Sequence, residues 1–281
     1  MKKIRSVILT VIVCLSIITI TELAMAGVNR FCPEVYQNFD FYLFNPWQIF
    51  SFILVLPLVL LEKMRISNFK VKNFLMGVFQ YGILLVLFSV VYIIAPIIWI
   101  KKWGWLYIGT TVYFDFIKKN ILYCLIVGIS EEFIYRGVVL NLLFKNFSID
   151  KRKDRMIACF CSALIFGIAH ATGFLSGGDT FEMVELIITA FLLGLFFAAV
   201  YMRTNNIFSV MFLHALSNYA LNCNYCTQGT PQSYFINDNV DIVNVVVTII
   251  LFIQGIIMLW KDKNEPQIAV EAPELQDAKE A

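Results

Sequence analysis

An all-α, polytopic membrane fold, with about eight transmembrane helices enclosing a polar cavity, is what this sequence predicts, on three observations. The 281 residues are 59% hydrophobic and only 15% charged, with a mean hydropathy of +0.76, well outside soluble composition. Apolar runs approaching or reaching the roughly 20 residues that a bilayer crossing needs recur along the whole chain. The basic residues alternate from loop to loop: with the N-terminus inside, 16 of the 22 Lys and Arg fall on the cytoplasmic side, five fall outside, and Arg136 lies within the membrane. That asymmetry predicts both termini in the cytoplasm.

Residues 1–26 have a basic start, an apolar run over 7–20 and a small-residue end. This is the grammar of a cleaved signal peptide and equally of a first transmembrane helix; the spans that follow favour the uncleaved helix. Residues 27–46 are polar and aromatic, hence a loop. A second span is predicted over 47–61, and a third over 74–100 with a kink near its end at Pro96. The stretch 101–120 has lysines at both ends and Asp115 within a short apolar run, and reads as interfacial or re-entrant. A fourth span, 121–144, ends in the most basic loop of the chain, 145–155. Spans over 156–172 and 183–202 follow, joined by the glycine-rich turn GFLSGGD. The last two cover 207–222 and 240–260, and the acidic tail after them is expected to be disordered. All five tryptophans fall at or near span ends, as an aromatic belt requires. The organisation is thus N-terminal helices and an interfacial segment (1–120), a helical core (121–222), a loop and last helix (223–260), and a tail (261–281).

A formal net charge of +2 is too near balance to imply a nucleic-acid partner. Seven scattered cysteines make no disulfide framework, although Cys223 and Cys226 are placed to pair if their loop is extracytoplasmic.

The fourth span contains EEFIYRG, residues 131–137. Each charge at the centre of a membrane helix costs roughly 2.5–3.5 kcal/mol even on lenient insertion scales, so three ionisable groups in six residues need partners, water or both. Glu132 and Arg136 stand four residues apart and share a helical face, where they pair. Glu131 points about 100° away and is left free, a candidate general base. A cluster that only glues helices together would not need the second glutamate. The chain has just two histidines, and both lie on apolar spans: His170 in FGIAH, one turn after Phe166, and His214 in HALSN, one turn before Asn218. Either alone reads as an ordinary core histidine. Together with a di-glutamate helix, they require a shared polar cavity.

The ordered set EEFIYR, FGIAH and HALSN resembles the EExxxR, FxxxH and HxxxN motifs of the CPBP (Abi) family, matched at every defining position over residues 121–222. This family includes type II CAAX prenyl endopeptidases and bacterial relatives tied to bacteriocin self-immunity or peptide maturation. The resemblance implies that Glu131 activates water with help from His170, and that His214 and Asn218 hold the scissile carbonyl and its oxyanion. By the same resemblance Glu132 and Arg136 order the site and Phe166 packs behind His170. Two histidines and a glutamate (Glu131, His170, His214) would also suit zinc in the His2Glu manner. Spacing does not choose between zinc and no cofactor, and the reading leans to the metal-free form. There is no HExxH, no GxGD aspartyl motif and no GxSxG nucleophile context.

The function expected is an intramembrane endopeptidase acting on a membrane-associated peptide or lipidated protein, in the bilayer of a bacterial cytoplasmic membrane. The other class is a non-catalytic immunity or transport protein that uses the same polar pocket for binding. Neither substrate nor oligomeric state is written in the sequence.

Overall fold

Residues 69–103, 110–174, 180–225 and 242–261 are described by the computed structural model, together with single positions before residue 57. Over the described residues the chain is all-helical. Helix α1 (Val71–Leu75) runs into a π-helical turn (Met76–Tyr81), and α2 covers Ile83–Trp103. Helix α3 (Thr110–Glu132) continues through a second π-helical segment (Phe133–Val139) into α4 (Leu140–Phe144). Helix α5 (Arg152–Ala169) ends in a 3-10 turn (His170–Phe174), and α6 (Thr180–Thr204), α7 (Ile207–Tyr225) and α8 (Ile242–Trp260) complete the order.

Three helical stretches, Arg152–Thr172, Thr180–Thr204 and Ile242–Trp260, are long and apolar enough to cross a membrane. The bent pair Val71–Tyr81 and Ile83–Ala95 makes a fourth among the described residues if it is taken as one span. Val246, Ile250, Ile253 and Ile257 form an exposed apolar stripe on α8 at helical spacing. A helix apolar on its outer as well as its inner face is what a lipid surrounding permits. The expected spans over 7–20 and 47–61, the turn beyond Phe174 up to Thr180, Cys226 and the tail after Lys261 lie outside the described residues as elements.

The centre of the molecule is the second half of α6. Leu195 to Val200 and Tyr201 are fully buried, because a helix apolar on every side finds neighbours on every side. Helices α5 and α8 pack along α6, while α3 and α2 pack along α7. Small residues set these distances. A Cβ on Gly128 of α3 would stand 2.8 Å from both the Ala215 nitrogen and the Met211 carbonyl oxygen of α7. Gly128→Ala is therefore expected to push α3 from α7 and lower stability by about 1–3 kcal/mol, as overpacking does; a denaturation midpoint in detergent micelles reads this, and an unchanged midpoint would contradict the contact.

One sequence expectation needs correction. The third span is not one helix kinked at Pro96. The backbone stays helical through Pro96, and the break is at Gly82, where the two halves meet at 70°. Gly82 lies against Leu213, whose methyl carbons would stand 2.7 Å from a Cβ there, and Gln254 donates to the Tyr81 carbonyl at 2.8 Å. The break is thus made by a close approach and sealed by a side chain from α8. Where the expected interfacial or re-entrant stretch falls on described residues it is helical: α2 reaches Trp103, and α3 runs unbroken from Thr110 to Glu132. Within the fourth span the helix changes to π geometry immediately after the two glutamates.

Candidate active site

The π-helical segment explains how three ionisable residues fit inside an apolar helix. Widening the turn frees backbone carbonyls, which must find donors. Ser162 of α5 donates to the Tyr135 carbonyl at 3.0 Å, and Asn141 donates to the carbonyls of Arg136 and Gly137 at 3.2 and 2.7 Å. The segment is fully buried from Ile134 to Val139, so these side-chain donors take the place of water.

Arg136 and Glu132 are both completely buried and form a 2.8 Å salt bridge one turn apart. The second guanidinium arm donates to the Gly194 carbonyl of α6 at 2.8 Å. The guanidinium carbon lies 4.7 Å from the centre of the Phe166 ring and 5.6 Å from that of Phe197. Such a charge is tolerable in the interior only when paired and hydrogen-bonded, as here. A Cβ on Gly194 would press on Phe166 at 3.0 Å, so the same glycine supplies a carbonyl to Arg136 and leaves room for the ring.

His214 joins this cluster from α7. Its Nδ1 is 2.8 Å from Glu132 Oε1, and since a carboxylate accepts, Nδ1–H is the donor. Its Nε2 faces Glu131 Oε2 at 3.7 Å. One histidine is thus bracketed by both glutamates. Glu131 is not isolated, as the helical wheel alone suggests; it is half-buried beside His214. Glu132 serves Arg136 and His214 through a single oxygen, and its Oε2 has no hydrogen-bond partner among the described residues.

His170 lies where α5 gives way to the 3-10 turn. Its Nδ1 is 2.9 Å from the Phe166 carbonyl, which can only accept, so Nδ1 carries the proton and Nε2 is the nitrogen left for chemistry. Phe166 meets His170, His214 and Tyr135 edge to face, with centroids 4.9, 5.8 and 4.8 Å apart. His170 makes no hydrogen bond or ion pair with either glutamate among the described residues. Asn218, half-buried one turn beyond His214, has no hydrogen-bond partner among them. The structure therefore joins Glu131, Glu132, Arg136, Phe166 and His214 in one contact network, and reaches His170 through Phe166. No group of three or more His, Cys, Asp or Glu among the described residues is placed to hold a metal ion. Glu131, His170 and His214 are not gathered into one three-ligand set among the described residues.

Several members of the site carry no motif signal. Phe197, which stacks on His214, and Gly194 sit in an apolar run whose periodicity is flat. Ser162 precedes Phe166 by four residues, so it shares the face that carries Phe166 and His170, a signal that was available. Asn222 repeats the four-residue spacing of His214 and Asn218. It donates to Asn120 of α3 at 2.8 Å, beside Cys124, and so ties α3 to α7 away from the glutamates. Cys223 is buried and forms no disulfide with another described residue, and its expected partner Cys226 lies outside the described residues.

Residues 114–220 match the family model described as type II CAAX prenyl endopeptidase Rce1-like. The match contains EEFIYR, FGIAH and HALSN, so the family that the motifs resemble is shown for the segment that bears them. It does not extend to the chain before residue 114 or after residue 220. No curated protein matches the chain.

Proposed function

We propose that this chain, whose residues 114–220 are of the Rce1-like family, is an intramembrane endopeptidase that hydrolyses a peptide bond of a prenylated CAAX-type protein or a related membrane-associated peptide. The observation that carries the reading is the position of His214, with Nδ1 on Glu132 at 2.8 Å and Nε2 facing Glu131 at 3.7 Å. A packing role needs one carboxylate for Arg136; a second carboxylate aimed at the other nitrogen of a buried imidazole needs a reaction to explain it.

In this mechanism Glu131 takes a proton from water while the water oxygen attacks the scissile carbonyl carbon. His170, with Nδ1–H held by the Phe166 carbonyl, offers Nε2 to the same water. As an imidazolium, His214 donates from Nε2 to the developing oxyanion, and Asn218 donates from its amide. The tetrahedral intermediate collapses when the carbon–nitrogen bond breaks and Glu131 returns the proton to the leaving amine. Glu132 fixes which nitrogen of His214 is available, and Arg136 with Gly194 fixes Glu132. Donors aimed at an oxyanion in a dry site are a large catalytic term. The charge asymmetry of the loops supports both termini on the cytoplasmic side of the membrane, and a bacterial cytoplasmic membrane is the setting proposed.

The test is hydrolysis of a prenylated CAAX peptide by the full chain in detergent. Asn218→Ala is expected to lower kcat by about 10²–10³-fold with KM little changed, the loss typical of one oxyanion donor. A variant as fast as the wild type would remove Asn218 from the reaction, and a wild-type protein inactive on all prenylated and unprenylated membrane peptides tried would overturn the reading.

A further inference from the structure

The hydrogen bond from His214 to Glu132 fixes one atom of the imidazole but not its plane. The ring could still pivot about the Nδ1–H···Oε1 line and swing Nε2 away from Glu131. What opposes this is Phe197 of α6. Its ring lies nearly parallel to that of His214, at 21°, with centroids 5.2 Å apart, an offset-stacked contact. Phe166 closes the edge of the imidazole at 82° and 5.8 Å. Arg136 lies over both phenylalanine rings, so the guanidinium that anchors Glu132 is bounded by the same aromatic pair that bounds His214. Phe197 itself is fully buried within the stretch of α6 where every residue from Leu195 to Val200 is at 0% exposure. A ring so enclosed has no room to rotate out of contact.

We propose that Phe197 is a positioning residue of the site: it sets the plane of the His214 imidazole by stacking, and thereby directs Nε2 at Glu131. The α6 helix is then the fixed wall of the site at two points one turn apart, since Gly194 supplies the carbonyl that holds Arg136 and Phe197 supplies the face that holds His214. The charged groups around His214 are Glu131 and Glu132 from α3 and Arg136 from the π-helical segment, and of these only Glu132 is within hydrogen-bond distance of the imidazole. This assignment rests on the proposed function only in treating His214 as a working residue; the contact is tested without substrate.

The chain has two histidines, so histidine-selective carbon-13 labelling of the full protein in detergent micelles gives a spectrum of two rings, and His170→Gln leaves His214 alone. In the otherwise unaltered protein, the His214 ring protons are expected upfield of their positions in the denatured chain, shifted by the ring current of the stacked phenyl group. Phe197→Leu fills much of the volume without a π-face and should return these resonances downfield, while Phe197→Tyr keeps the face and should keep the shift. Phe196→Leu removes an equally buried ring that touches Phe197 but makes no ring contact with His214 among the described residues, and should leave the resonances in place; a merely structural role would let both leucine variants act alike. Should Phe197→Leu fail to fold, the unaltered protein and Phe197→Tyr still decide the matter. His214 protons at their denatured-chain positions in the unaltered protein, or unmoved by Phe197→Leu, would overturn the assignment. An inactive protein with the predicted shifts would count against the proposed function alone.

Discussion

Glu132→Ala is expected to be the most destabilising single substitution at the site, with a loss of about 3–5 kcal/mol, the range for removing one partner of a buried ion pair. Two groups lose their acceptor at once. The Arg136 guanidinium, at 0% exposure, keeps only the Gly194 carbonyl and two aromatic faces, and a buried cation without a counter-charge is far more costly than the pair was. His214 loses the bond at Nδ1 as well. Against a total stability of about 5–15 kcal/mol, such a loss removes a large fraction of the folded population. Glu132→Gln keeps an oxygen that can accept both bonds but removes the counter-charge of Arg136, and should fall between alanine and wild type. Denaturation of the detergent-solubilised variants measures the order, and an alanine variant as stable as wild type would show that the pair does not hold the site together.

The second large effect is of the opposite kind. Glu131→Gln should leave stability nearly unchanged, because Glu131 is 13% exposed and its one ion-pair contact to a described residue is the 3.7 Å approach to His214. The amide is close to isosteric, but it cannot accept the proton of water. Turnover of a prenylated CAAX peptide should fall by roughly 10²–10⁴-fold, the contribution of a positioned general base. The two neighbouring glutamates therefore separate cleanly: one substitution removes the fold and the other removes the chemistry. A Glu131→Gln enzyme with wild-type turnover, or a Glu131→Gln protein that does not fold, would break that division.

What the sequence reveals of this site is what depends on local geometry. Glu132 and Arg136 pair at four residues because an α-helix places i and i+4 together, and the 2.8 Å bridge follows from that rule alone. The bond between His214 and Glu132 spans 82 positions; spacing marks both residues as costly but does not say which glutamate the imidazole meets. Helical projection sets Glu131 apart from Arg136 and stops there, because it holds no information about α7. Phe197 is invisible for a different reason. The second half of α6 is buried on every side, so its sequence shows no polar face against which an inward position could be recognised. The break at Gly82 was hidden in the same way: it arises from the approach of Leu213 across the bundle, whereas Pro96, the more obvious breaker, lies in continuous helix. The π-helical segment has no composition of its own, and shows itself only through Ser162 and Asn141, which serve its freed carbonyls.

The central claim is that Glu131, set beside His214 in a membrane-embedded cluster, cleaves a peptide bond. The most direct measurement is mass spectrometry of membrane peptides and proteins from cells producing either the wild-type chain or Glu131→Gln at equal level. A shortened product and its released fragment are expected in the first and the uncut precursor in the second, which gives the substrate and the position of the cut together. Identical peptide pools in the two, with the same processed termini, would contradict it.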